Sequence, residues 1–176
     1  MDENAPVTEI TLRPAELNDV PGMSQTAAEG FGGYAAFAPP GWRPPPEPSA
    51  EEMIAERMAL ARAVAIVAEV GGEAAGHVLL IAASESREPV ADPELAHVMH
   101  VFVRAPFWGT GVARELHRAM VAAAHANGFL RARLFTPAEQ ARARRFYERE
   151  GWLLARGPWH DHGLQLDVVE YRRHLR

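Results

Sequence analysis

The sequence contains no cysteine in 176 residues. Disulfides, thiolate metal sites and a cysteine nucleophile are therefore excluded, and the absence fits a reducing cell interior. An excess of positive charge is missing too: 18 basic against 23 acidic residues give a formal net charge of -5. Duplex nucleic acid demands a basic footprint, so no nucleic-acid partner is expected. The longest apolar stretches are strand-sized, far short of a membrane span, so no membrane partner is expected either. Met1-Asp2-Glu3-Asn4 is acidic and polar, unlike the basic start and apolar centre of a signal peptide. What remains, 48% hydrophobic and 23% charged residues, describes a soluble globular protein. The length suits a single domain over residues 1–176 with a genuine core, and the expected location is the cytoplasm.

No internal repeat is present. Residues 10–13 read as a short strand and 19–29 as a helix, with Asn18 or Asp19 as N-cap. Glycines and prolines break any periodic element between 30 and 48, a loop that carries Phe31, Tyr34, Phe37 and Trp42. Ser49 and Glu52 form a capping box at the head of a helix running to Arg62. Residues 63–69 and 74–83 read as strands joined by Gly71-Gly72. Residues 96–103, apolar on both faces, read as a central strand. Val112, Leu116 and Met120 recur at helical spacing up to Asn127-Gly128. Then come a strand over 130–135, a second capping box at Thr136 and Glu139 with a helix to Glu150, and strands over 152–156 and 164–172. The order β, α, α, β, β, β, α, β, α, β, β predicts an α/β (α+β) domain.

Between the buried strand and the following helix lies Trp108-Gly109-Thr110-Gly111-Val112-Ala113. Glycine lets the backbone turn tightly and admits a ligand closely. The first N–H groups of the helix have no intrahelical partner. With the helix dipole they attract phosphate oxygens. The loop is not a Walker motif, and Arg114 stands where a dinucleotide fingerprint needs its third glycine. After the next strand comes Gln140-Ala141-Arg142-Ala143-Arg144-Arg145-Phe146-Tyr147-Glu148-Arg149-Glu150-Gly151-Trp152.

These two motifs, in this order and spacing, resemble the GNAT superfamily of acyl-CoA-dependent N-acyltransferases. The family carries Arg/Gln-x-x-Gly-x-Gly/Ala for the coenzyme A pyrophosphate, here with Trp108 at the first position. It also carries Asn-x-x-Ala-x-x-Phe-Tyr-Glu-x-x-Gly-Phe, here with Gln140 and Trp152 substituted. The resemblance is strong over about 96–156. It implies a mixed, mostly antiparallel sheet flanked by helices, with splayed central strands, and acetyl-CoA as co-substrate. It further implies contacts to that co-substrate from Val101, Phe102, Val103, Trp108, Gly109, Thr110, Gly111, Val112, Ala113, Gln140, Ala143 and Phe146. A backbone N–H of Val101 or Phe102 would bind the oxyanion. Tyr147 occupies the position of the family's general acid. Direct transfer to an amine acceptor is implied, since no cysteine exists to carry the acyl group.

The general base is left between His97 and His100, since imidazole titrates in the right range. Three residues apart on a strand, the two are expected on opposite faces and not as a metal pair. His160-Asp161-His162 reads as a solvated loop, which the resemblance puts at the border of the acceptor cleft; no metal site is expected. The arginines at 142, 144, 145 and 149 make a basic face, of which one or two are expected to meet the phosphate oxygens of coenzyme A, the choice being left open. The aromatic loop predicts an apolar acceptor. Oligomeric state is not legible, although the resemblance admits a homodimer, since dimers are common in that family. Two rival readings remain: a non-catalytic acyl-CoA-binding sensor or regulatory module, which could dispense with Tyr147, and a nicotinamide-dependent oxidoreductase, which the missing third glycine disfavours.

Overall fold

The computed structural model describes residues 9–44, 46 and 49–175; the N-terminal tetrapeptide, Pro45 and Pro48 lie outside them. The chain runs β1 (Ile10–Pro14), α1 (Val20–Gly32), α2 (Ala50–Met58), β2 (Val64–Val70), β3 (Glu73–Ala82), β4 (Leu95–Val103), α3 (Val112–Ala126), β5 (Arg131–Pro137), α4 (Ala141–Arg149), β6 (Leu153–Asp161) and β7 (Leu166–His174). This is the element order the sequence predicts, with short 3-10 turns added at Leu17–Asp19, Gly33–Ala36, Ala83–Glu85 and Ala105–Phe107. The strands form one sheet in the order β1-β2-β3-β4-β5-β7-β6. All neighbours are antiparallel except β4 and β5.

Alternation along the strands divides the core. Val78, Leu80, Val98, Leu134 and Tyr171 pack with Val112, Leu116 and Met120 of α3 and with Phe146 and Tyr147 of α4. A second cluster, Val20, Met23, Ile54 and Val67, joins α1 and α2 to the other face. No helix among the described residues is long and apolar enough to cross a membrane.

Several boundaries differ from the sequence reading. Neither expected capping box forms. Ser49 makes no side-chain cap, and α2 ends at Met58. Arg62, expected in that helix, instead stacks its guanidinium over the Phe129 ring at 3.7 Å and donates to the Pro93 carbonyl. Thr136 and Pro137 belong to β5, paired with Val169 and Val168, and Ala138 N–H donates to the Asp167 carbonyl at 2.8 Å. The sheet ladder thus claims the groups that a helix start would have used, and α4 begins five residues after Thr136, behind its N-cap Gln140. Asp19 does precede α1, but its carboxylate serves Arg13 and Glu16 N–H rather than that helix. His160 and Asp161 are strand rather than loop, because Asp167 and Leu166 of β7 pair with them.

The decisive irregularity is in β4. Val98 pairs with Leu80 and His100 with Leu79, leaving Met99 without a partner on β3. This bulge begins where pairing with β5 ends, since the parallel ladder stops at Val98 and Leu134. A bulge bends its strand. Beyond it, β4 and β5 diverge and leave a gap in the middle of the sheet.

Candidate active site

A cleft of about 750 Å³ passes through this gap. On the α3–α4 side it is lined by Val101 and Val103 of β4, by Trp108, Gly109, Gly111, Ala113 and Arg114, and by Gln140, Ala143, Phe146 and Tyr147. On the α1 side its walls are Gly30, Tyr34, Phe37, Phe102 and Phe135. The volume matches that of a typical ligand site.

The glycine turn has the conformation its sequence requires. Gly109 and Gly111 take φ of +81° and +97°, values that a side chain disfavours. Gly111 stands directly before α3, whose first free N–H groups therefore open onto the cleft. Val112 is fully buried, so only its backbone is available there. Thr110 does not line the cleft; its hydroxyl donates to the Phe107 carbonyl at 2.7 Å and holds the turn together. Trp108 Nε1 donates to the Val103 carbonyl at 2.7 Å, and the Arg142 guanidinium lies over the indole at 3.8 Å. Of the arginines the sequence left undivided, Arg142 and Arg149 line the cleft, whereas Arg144 is used by the Tyr171 hydroxyl and the Ala138 carbonyl. Arg114 also lines it and was not singled out as a ligand contact. A cation in the first turn of a helix opposes the dipole, and that mismatch was the available signal.

Backbone alternation distinguishes Val101 from Phe102. Arg104 N–H donates to Ala75 of β3 at 2.9 Å. In an antiparallel ladder the direction alternates, so Phe102 also turns its N–H to β3, while Val101 and Val103 turn theirs to the gap. The indole bond to the Val103 carbonyl comes from that same side.

Tyr147 is 9% exposed, on the face of α4 that meets the gap. Phe146, Trp152 and Tyr171 surround its ring at 5.5, 6.0 and 6.2 Å. The helix is pinned to β7 by the Tyr171 hydroxyl, which donates to Glu148 Oε1 at 2.6 Å. Burial, with a smaller contribution from Tyr34, pushes the Tyr147 phenol well above its ordinary range, so it remains protonated at neutral pH.

The two histidines are placed differently from expectation. His97 pairs with Ile81 and His100 with Leu79. Those partners are two apart on β3, so both histidines share one face; the unpaired Met99 shifts the parity. Neither lines the cleft. Burial lowers His97 to about 3, helped by Arg133 and Arg87, and lowers His100 to about 4. The His100 Nδ1 sits 3.1 Å from His77 Nε2, and His97 stacks near Phe135 at 4.9 Å. Among the described residues no group of histidine and carboxylate side chains is placed to hold a metal ion.

On the α1 side, Tyr34 sits among Phe31, Phe37 and Trp42 at 5.6, 5.4 and 6.3 Å. Trp42 Nε1 donates to the Leu164 carbonyl at 2.8 Å. This bond ties the aromatic segment to the turn between β6 and β7.

The sequence profile of the Acetyltransferase (GNAT) family matches residues 34–152. No protein of curated function is significantly similar to the chain in sequence. Among solved structures, a GCN5-related N-acetyltransferase from Kribbella flavida shares 19% identity at a TM-score of 0.71, covering 94% of this chain and 98% of its own. The yncA structure from Salmonella typhimurium, which contains its cofactor acetyl-CoA, shares 17% at a TM-score of 0.71, covering 95% and 94%. The ribosomal-protein-S18-alanine N-acetyltransferase from Escherichia coli shares 18% at a TM-score of 0.65, covering 95% and 94%. At these identities the likeness speaks for the fold, a mixed sheet flanked by helices. The profile match, extending over more than half of the chain and through both motifs, establishes that the protein belongs to the GNAT family of acetyltransferases.

Proposed function

We propose that the chain is a single acetyltransferase domain that moves an acetyl group from acetyl-CoA to a primary amine. The observation that carries this reading is the gap between β4 and β5, with a free helix N-terminus and arginines at one end and a protonated tyrosine at its centre. The free N–H groups of α3, with Arg114, Arg142 and Arg149, fit the pyrophosphate of coenzyme A. The apolar walls Val101, Val103, Ala143 and Phe146 fit a pantetheine arm. A bound acetyl-CoA supplies a thioester carbonyl for the amine to attack. Val101 N–H, directed into the gap, offers a hydrogen bond to the oxygen as it gains charge, and such preorganised donors act strongly where water is excluded.

Tyr147 then donates its proton to the departing sulfur. A buried phenol keeps its proton at neutral pH and is therefore present in its acid form when the thiolate departs. His97 and His100 do not open onto the cleft, so the amine enters neutral and its surplus proton passes to cleft water. The acceptor wall is aromatic, which favours an amine with an apolar body and penalises an unpaired cation.

The test is isothermal titration with acetyl-CoA, followed by thiol release with phenethylamine, spermidine, kanamycin and an alanyl peptide amide. Saturable binding and thiol release, fastest with phenethylamine or the peptide, are the expected outcome. Binding without release on every amine would move the protein to the sensor class, and no binding would end the reading.

A further inference from the structure

Tyr34 is placed as though its hydroxyl had a purpose that packing does not explain. Its ring is held on several sides by Phe31, Phe37 and Trp42, and Trp42 is itself anchored to Leu164. The residue is only 8% exposed. A buried tyrosine ordinarily finds a hydrogen-bond partner, yet the Tyr34 hydroxyl has none among the described residues. Tyr34 lines the through-sheet cleft. A phenylalanine would pack equally well in this box.

The position is as telling as the chemistry. Tyr34 belongs to the 3-10 turn Gly33–Ala36 at the end of α1, while Tyr147 belongs to α4 on the other face of the sheet. Both tyrosines line the same cleft, and ionising Tyr34 raises the pKa of Tyr147. A ligand lying in the gap is therefore flanked by one phenol on each side.

We propose that Tyr34 is a second catalytic tyrosine, whose hydroxyl accepts a hydrogen bond from the N–H of the incoming amine and aims the nitrogen lone pair at the thioester carbon from the side opposite Tyr147. This rests on the acetyl-transfer reading above. The nitrogen lone pair forms the new C–N bond. The C–S bond breaks with its electron pair on sulfur, and the Tyr147 proton goes to that sulfur. The surplus proton on nitrogen leaves through cleft water, which returns one proton to Tyr147. Tyr34 keeps its own proton throughout; it orients and does not act as a base. The aromatic box around it then selects the acceptor: an amine carried on an apolar body no wider than the space between Phe37, Phe102 and Phe135.

Tyr34→Phe removes one oxygen and leaves the ring. With the fastest of phenethylamine, spermidine, kanamycin and the alanyl peptide amide, kcat/KM for the amine is expected to fall at least about tenfold, while the Kd for acetyl-CoA stays at the parent value. Phe31→Leu is the packing control, since Phe31 touches the Tyr34 ring but does not line the cleft. It is expected to lower kcat/KM by less than Tyr34→Phe does. Parent-like kcat/KM in Tyr34→Phe, or a larger loss in Phe31→Leu, overturns the proposal. If the parent protein releases no thiol with any of the four amines, the acetyl-transfer reading falls and this one with it; an active parent beside an equally active Tyr34→Phe removes Tyr34 alone.

Discussion

Two single residues of this cleft, Tyr147 and Gly111, give sharp expectations. Under the proposed mechanism Tyr147, which lines the cleft, is the group that protonates the leaving thiolate. Tyr147→Phe keeps the packing against Phe146, Trp152 and Tyr171. Its kcat is expected to fall by about a hundredfold or more, the usual range for removing a general acid, with the acetyl-CoA Kd unchanged. Steady-state kinetics beside calorimetry would show it, and an unaltered kcat would take Tyr147 out of the mechanism. Gly111 tests the other end. At φ +97° a Cβ is strained even though its nearest new neighbour, Ile10 Cδ1, is 3.8 Å away. Gly111→Ala therefore costs about 1–2 kcal/mol of backbone energy, or shifts the turn to relieve it. Either way acetyl-CoA binding is expected to weaken about tenfold, and a parent-like titration curve would contradict it.

At the scale of elements, the bulge at Met99 and the tether from Trp42 shape the two sides of the gap. The bulge ends the β4–β5 ladder, reverses the parity of β4 and carries His97 and His100 to one buried face. The tether holds the aromatic turn after α1 to the β6–β7 turn through a single indole bond of 2.8 Å. Trp42→Phe removes that bond and retains most of the ring. Its net contribution to stability is about 0.5–1.5 kcal/mol, so a modest fall in Tm is expected. The larger effect falls on the acceptor: its KM rises several-fold as the wall loosens, with no change in acetyl-CoA affinity. Equal KM in the two proteins would mean that this wall is held by packing alone. Both motifs and the order of elements were visible in the sequence, because glycine turns and apolar spacing are local. The failed capping boxes show the limit of that reading: Thr136 and Pro137 carry a good helix-start pattern, yet β7 pairs with them, and a strand partner thirty residues onward leaves no local trace.

At the scale of the molecule, the buried histidines couple folding to pH. Burial lowers His100 and His117 to about 4, and lowers His77 in the same direction. In the unfolded chain each titrates near pH 6.5. Between these values the unfolded chain binds protons that the folded chain refuses. Their contribution is therefore fully present above about pH 6.5 and is lost as pH falls toward 4. The slope is at most about 1.4 kcal/mol per pH unit for each histidine. Thermal unfolding is expected to show Tm dropping steeply from about pH 7 to about pH 5, and His100→Leu is expected to flatten that fall. A level Tm over the same range would mean that these imidazoles accept protons inside the fold.

The sequence by itself determined the family, the element order, the glycine turn before α3 and the tyrosine on α4, since each is written in contiguous residues whose spacing alone sets their geometry. It left open which of Val101 and Phe102 turns its N–H to the gap, left the arginines undivided and gave His97 and His100 opposite faces. Tertiary structure decided these. Which way a strand N–H points, which guanidinium is already engaged and where a bulge inverts a strand all depend on the neighbouring strand or helix, and those neighbours lie far away in the chain.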